Sequence, residues 1–346
     1  MKFNIIFLLM PFVHSFQITP KPSLIQSSIA MSIQTTEMMH FRKLIRSESI
    51  LPTSLLCFTG GFMMNPSVIG LLQNPRFLVS TVNILFIMSS SMIVNDIFDM
   101  NLDKIDHPDR PLVNGGISKN TATGYLLGFL FIVEYLNTRF LPDNLQTIFH
   151  LAIINILLYT PIYKKIPFIK NIFCAGMVAF SIFVSGLSAS KGLMIVNPGF
   201  SILSIGLSVV FFGSWYSEVL LDMGDITGDR ENLIYTVPVL YGLKNTWLFS
   251  GFLLFFNILS NTFSLSYLFG NRGIGLILPL IFSPMVYDYF CISRESFSTK
   301  WAVKNTRKSL FLFVIYLCGL SLFNSGFSIP LPKDIHWLDV ATTVFI

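Results

Sequence analysis

Long apolar runs separated by short polar ones make up most of this chain. Runs of the length a bilayer-crossing helix needs, about 20 residues, lie at about 50–72, 77–97, 119–137, 146–163, 171–190, 199–221, 245–268, 273–291 and 307–325. Several contain Gly, Pro or Ser, which membrane helices tolerate where neighbouring helices satisfy the freed backbone groups. Pro52, Pro66 and Pro284 are expected to kink their helices. The pattern predicts an all-α, multi-pass membrane protein with about nine transmembrane helices in residues 45–325, followed by a C-terminal tail at 326–346.

The polar linkers test that count. Loops on one side hold Arg42, Lys43, Arg46, Lys104, Arg110, Lys119, Lys164, Lys165, Lys170, Arg230, Lys244, Arg294, Lys300, Lys304, Arg307 and Lys308. The opposite loops and the C-terminus hold only Arg76, Arg139, Lys191, Arg272 and Lys333. Cytoplasm-type loops concentrate Lys and Arg, so this asymmetry sets an orientation. It also supports nine spans, because one missed or invented helix would scramble the alternation.

Composition agrees. Charged residues are 12% of the chain, against about 25% in a soluble domain, and the mean hydropathy of +0.67 is that of a membrane protein. The net charge of +5 is spent on topology and gives no case for nucleic acid. Cys57, Cys174, Cys291 and Cys318 are scattered through apolar runs without paired spacing, and read as small core residues rather than disulfides or a zinc site.

The N-terminus stands apart. Lys2, the apolar run Phe3–Val13 and the small residues Val13 and Ser15 before Phe16 form a signal-peptide pattern over 1–15, too short to span a bilayer. Residues 16–32 are rich in Ser, Thr and Pro and contain no acid, so 16–44 is expected to be a targeting or disordered segment. A signal followed by Phe and such a stretch resembles the two-part plastid address of algae with secondary plastids. A plastid membrane is therefore expected, with an endomembrane as the alternative.

The acids are not scattered. Ten of the eighteen lie in two windows, and that concentration is what points to chemistry. Asp96, Asp99, Asp103, Asp106 and Asp109 follow the second apolar run; Glu218, Asp222, Asp225, Asp229 and Glu231 close the sixth. Four spans separate the windows, so both emerge on the same basic side. Asp99 and Asp103 share a helical face four residues apart, with Asn95 one turn back and Asp96 able to approach. Asp222, Asp225 and Asp229 repeat a three-then-four spacing. Converging hard oxygen ligands suit Mg²⁺, which keeps waters and bridges to substrate phosphates. Asp106 and Asp109 are expected in a loop. Arg110, Lys164 and Lys165 lie on the same side; Arg and Lys beside metal-bound carboxylates clamp a diphosphate. Either lysine alone could instead be a topology-setting charge.

These residues carry a resemblance. Asn95-Asp96-x-x-Asp99-x-x-x-Asp103 followed by Arg110-Pro111-Leu112, with Asp222-x-x-Asp225-x-x-Gly228-Asp229, resembles the two signature motifs of the UbiA superfamily of intramembrane prenyltransferases over roughly residues 45–325. The resemblance implies a UbiA-like bundle. It also implies that Asn95, Asp99, Asp103, Asp225 and Asp229 hold Mg²⁺ and the diphosphate of a polyprenyl donor, and it favours Asn95 over Asp96 as the inward-facing member. Tyr159 and Lys164 match the family's Tyr and Lys after the fourth helix. With Asn95, Asp96, Arg110 and Arg230 they form the expected substrate-binding set. Asp99, Asp103, Asp222, Asp225 and Asp229 form the catalytic set. Three departures concern the acceptor side. Leu221 stands where a basic residue often precedes the second motif, Ser217 where an Arg often precedes the Glu matching Glu218, and Lys170-Asn171 where Gly-Asn often opens the fifth helix.

The implied reaction is Mg²⁺-dependent transfer of an isoprenyl chain to a lipophilic acceptor within the bilayer. Asp222 and Glu218 are candidates for taking the acceptor's proton. The short spacer from Asp103 to Arg110 and the stretch from His107 to Ser118 resemble the digeranylgeranylglyceryl-phosphate, chlorophyll and homogentisate branches more than the 4-hydroxybenzoate branch. The acceptor is thus of aromatic, tetrapyrrole or glycerol-phosphate type. Two other readings fit part of the pattern: a terpene cyclase of the same fold, and a cation-coupled transporter. Acids gathered at one face, with basic phosphate-type partners, argue against the transporter, whose site is expected near the midplane.

Overall fold

The computed structural model describes residues 36–190, 197, 199–231, 234–298 and 302–326. The expected signal peptide, most of the targeting segment and all but the first residue of the expected tail lie outside the described residues. Among the described residues every regular element is helical. They are α1 (36–44), α2 (Ile50–Met64), α3 (Val68–Leu72), α4 (Pro75–Phe98), α5 (Met100–Asp106), α6 (Lys119–Phe140), α7 (Asp143–Tyr159), α8 (Ile169–Ala189), α9 (Gly199–Gly224), α10 (Ile226–Glu231), α11 (Val237–Leu268), α12 (Arg272–Arg294) and α13 (Ala302–Gly326).

All of the apolar runs but the first coincide mainly with one helix each. Five of them, α4, α8, α9, α11 and α12, are long and apolar enough to cross a membrane by length and composition. The run at 50–72 is not one helix, contrary to the sequence expectation. Pro66 has no N–H to give and drives Asn65 out of the helical region (φ −144°, ψ 87°). The chain restarts as α3, capped by the Ser67 hydroxyl accepting from the Gly70 N–H at 3.0 Å. Pro52 sits in the first turn of α2, where it costs little. Pro284, with Pro279, lies inside α12. In α11 the break is at Gly242, whose φ of 78° is glycine territory; the apolar run begins just after it. Asp106, expected in a loop, is the last residue of α5.

Helices adjacent in sequence pack side by side, and the series closes on itself: α8 contacts α2, α4, α7 and α9; α9 contacts α11; α12 lies between α11 and α13; and α13 returns to α2. Close approach of α2 and α8 depends on Gly60, where an added Cβ would lie 2.2 Å from the Ile182 carbonyl oxygen. Without a hydrophobic drive between helices in lipid, such small-residue contact is what permits dense packing. One buried cluster, including Met63, Leu203, Tyr216 and Phe313, joins α2, α9, α11, α12 and α13. A second, around Ile84, Ile87, Phe149 and Ile156, joins α4, α7 and α8. A third, with Leu44, Ile93, Leu112 and Leu126, pins the 107–118 loop between α4 and α6. That pin fixes where Arg110 stands.

Candidate functional site

The first acidic window begins in the last turn of α4 and continues into α5. Asp99 is the hinge between them: its N–H bonds the Asn95 carbonyl at 2.9 Å, and its own carbonyl accepts the Asp103 N–H at 2.9 Å. The ladder of four-residue steps therefore survives the break in the helix. Asp96, Asp99 and Asp103 are all buried, and each meets a cation. The Arg110 guanidinium donates to Asp96 at 3.0 Å and to Asp103 at 2.5 Å. Arg46 donates to Asp96 at 3.3 Å. The Lys164 ammonium pairs with Asp99. Burial raises the Asp103 carboxyl above the usual range, helped by Asp99 and Asp96 and opposed by Arg110.

The second window ends α9 and forms α10. Asp222 is buried on α9 and receives the Lys170 ammonium at 2.5 Å and the Asn171 amide at 2.8 Å, both from the first turn of α8. Asp225 is exposed at the break between α9 and α10, and its carbonyl accepts the Asp229 N–H at 3.0 Å. Asp229 is buried, and its carboxylate accepts the Thr236 hydroxyl at 3.0 Å. Burial, opposed by Lys170 and reinforced by Asp222 and Asp225, raises the Asp229 carboxyl to about 6. Arg230 is exposed on the same short helix.

The two windows meet. α5 contacts α10 directly, so acids 120 residues apart in sequence border one place. Beside them opens a cavity of about 310 Å³. Its polar end is formed by Arg46, Asn95, Tyr159, Cys174 and Glu218, each from a different element, and its deeper walls by Ile84, Ile87, Met88, Met177 and Phe180. Tyr159 stacks on Phe173 with ring centroids 5.1 Å apart, and its hydroxyl accepts from the Cys174 thiol at 3.0 Å.

The choice between Asn95 and Asp96 resolves into two separate places. Asn95 lines the cavity, while Asp96 turns to Arg46 and Arg110 and shares the latter with Asp103. Sequence reasoning missed Arg46, Lys170 and Asn171 as site residues and read both cations as topology-setting. Arg46 projects toward Asp96 from a left-handed turn (φ 48°, ψ 60°) between α1 and α2, a backbone region that residues with side chains adopt rarely.

The donor set suits a hard divalent cation, since every candidate ligand is a carboxylate or amide oxygen. Among the described residues no three acids form a ready-made metal cage; each buried carboxylate of the two windows is instead held by a lysine, an arginine or a hydroxyl. Such a site fits Mg²⁺ taken with one or two carboxylates while substrate phosphates complete the shell.

Comparison with known proteins follows the same lines. The model of the UbiA prenyltransferase family matches residues 54–315. The digeranylgeranylglyceryl phosphate synthase of Sulfolobus acidocaldarius is 30% identical over 256 residues, 73% of this chain and 86% of that one. The synthase of the same name from Methanococcus maripaludis is 27% identical over 248 residues, 71% and 83% of the two chains. In fold, the chain is similar to a UbiA homolog from Archaeoglobus fulgidus bound to GPP and Mg²⁺, with a TM-score of 0.60 and 19% identity over 82% of this chain and 99% of that one.

Proposed function

The chain belongs to the UbiA prenyltransferase family and is a multi-pass membrane prenyltransferase, and from that premise we propose Mg²⁺-dependent transfer from a polyprenyl diphosphate to a lipophilic acceptor. The observation that supports this reading is the meeting of two acidic windows, the four cations paired with their buried carboxylates and the polar end of an apolar cavity. A diphosphate is the ligand that uses all three at once.

In this reading Arg110, Lys164 and Lys170 turn from their carboxylates to the diphosphate oxygens, and the prenyl tail lies along the cavity. Asp99, Asp103, Asp225 and Asp229, with Asn95, hold Mg²⁺, which withdraws charge from the leaving diphosphate. The C1–O bond breaks with its electron pair going to the diphosphate. The allylic cation left behind faces the Tyr159 and Phe173 rings, whose faces stabilise positive charge. The acceptor's nucleophile bonds C1, and its proton passes to Glu218 or Asp222. The apolar walls keep water from the cation. Asp96 holds Arg46 in place, and Arg230 at the rim meets the incoming diphosphate.

The acceptor is of glycerol-phosphate, tetrapyrrole or aromatic type; the names of the archaeal relatives favour the first. A plastid membrane is the proposed location, supported by the acid-free, hydroxyl-rich segment at 16–32. The test is radiolabelled geranylgeranyl diphosphate supplied with Mg²⁺ and a panel of these acceptors to the full chain in nanodiscs. A labelled, acceptor-dependent product is expected. A released hydrocarbon without acceptor would assign the chain to a cyclase instead, and no turnover with any acceptor would overturn the reading.

A further inference from the structure

The cavity is shorter than a long prenyl tail. Its wall on α4 runs from Asn95 at the polar end to Ile84 at the deep end, eleven residues or about 16 Å at 1.5 Å per residue. An extended chain advances roughly 1.2 Å per bond, so a geranyl tail, with eight carbons in its main chain, needs about 10 Å. A geranylgeranyl tail, with sixteen, needs about 19 Å. The first fits within the cavity; the second overruns it by about 3 Å, so its terminal isoprene unit does not fit whole.

At the deep end stands Phe180 of α8, and it has two sides. One lines the cavity. The other lines an apolar groove of about 520 Å³ on the outer side of the α8–α9 packing. The groove is formed by one face of each helix: Gly176, Phe180 and Phe183 from α8, and Ser204, Ser208 and Phe211 from α9, spaced as neighbours on a helix surface are. Its floor is open at Gly176, where an added Cβ would meet nothing within 4 Å. Phe180 is held from behind by an edge-to-face contact with Phe149 of α7, centroids 6.1 Å apart. Phe180 is the residue that lines both the interior cavity and the groove.

We propose that Phe180 sets donor chain length: the terminal isoprene unit of a four-unit donor passes Phe180 and lies in the α8–α9 groove, over Gly176. This rests on the prenyl-diphosphate reading of the site. The occupant follows from continuity, because Phe180 borders both spaces and the cavity is too short to hold the whole of the last unit. No polar group needs to be desolvated along the way except the Ser204 and Ser208 hydroxyls, and a helical hydroxyl can bond the carbonyl one turn back, as Ser204 does with Phe200 at 2.9 Å.

The test is binding of the unreactive S-thiolodiphosphate analogues of geranyl and geranylgeranyl diphosphate, with Mg²⁺, to the full chain in nanodiscs, so that no acceptor is needed. Gly176→Phe fills the groove far from the acidic windows. It is expected to weaken the twenty-carbon analogue at least tenfold, the loss of about two or more buried CH₂ groups at about 0.8 kcal/mol each, and to leave the ten-carbon analogue within about twofold. Retained ten-carbon binding also shows that the variant is folded. Gly176→Ala, with a small side chain in open space, should behave as wild type. Phe180→Ala should raise the ratio of twenty- to ten-carbon affinity and Phe180→Trp should lower it. If Gly176→Phe leaves the twenty-carbon analogue untouched, or weakens both alike, the tail does not use the groove and the proposal is wrong. If the wild-type chain binds neither analogue, the diphosphate reading itself fails, a different outcome from a length ratio that does not move.

Discussion

Lys170 and Asp222 face each other between α8 and α9 at 2.5 Å, with both side chains largely removed from solvent. The same carboxylate also takes the Asn171 amide. A buried pair of this kind is weak as a source of stability but severe when half of it is removed, because the remaining charge has no partner. Lys170→Met should therefore cost about 3–5 kcal/mol, read as a lowered midpoint of thermal unfolding in nanodiscs, and should also reduce turnover. Replacing both partners, Lys170→Met with Asp222→Leu, should recover much of the thermal stability and none of the activity. Recovery of both would remove the pair from the chemistry.

Asp99 and Asp225 lie in different windows, and the proposed site needs both. Asp99→Ala and Asp225→Ala should each abolish prenyl transfer while the protein remains inserted and monodisperse. Wild-type turnover in either variant would end the assignment of that window to metal and diphosphate. Chelation of divalent ions should silence the wild-type enzyme, and added Mg²⁺ should restore it.

Protons and metal should compete at Asp229. Its carboxyl is raised to about 6, so it takes up a proton as the pH falls through that value and loses the charge a cation needs. Burial shifts Asp103 the same way. At low Mg²⁺ the rate should fall below about pH 6, and higher Mg²⁺ should move that fall to lower pH, since the metal binds only the ionised form. Thr236→Val removes the hydroxyl that favours the ionised Asp229, so the fall should then begin at higher pH. A limb that ignores Mg²⁺ concentration would place the titrating group elsewhere.

Gly60 offers a test of packing without touching the site. A Cβ there would meet the Ile182 carbonyl oxygen at 2.2 Å, inside contact distance, and backbone cannot swing aside as a side chain can. Gly60→Val should destabilise the bundle by at least about 1–3 kcal/mol. The measurement is thermal unfolding beside Gly176→Ala, which should be silent.

How far these features could be read in the sequence depended on contrast. The acidic windows stood out because carboxylates are costly at a bilayer edge, and the loop charges alone put both windows on one side. Arg46 and Lys170 had no such contrast: a cation at the end of a span has the same appearance whether it sets topology or faces a buried acid. Asn95 and Asp96 are adjacent, and only the end of α4 at Phe98 and the placement of Arg110 show that they turn to different partners. The break at Asn65 followed from Pro66, yet hydropathy carried the run straight through it. The cavity had no sequence signal at all, because Ile84, Met88 and Phe180 look like any other core residues until their neighbours are known.

The contact between α13 and α2 has a consequence for how the protein is made. Synthesis proceeds from α2 toward α13, so α2 waits for α13 before this part of its surface is covered. Until residues beyond 302 have left the ribosome, α2 presents to lipid or to a chaperone a face meant for another helix. Halting the nascent chain before α13 should therefore leave α2 open to a thiol- or photo-crosslinker that the finished protein excludes.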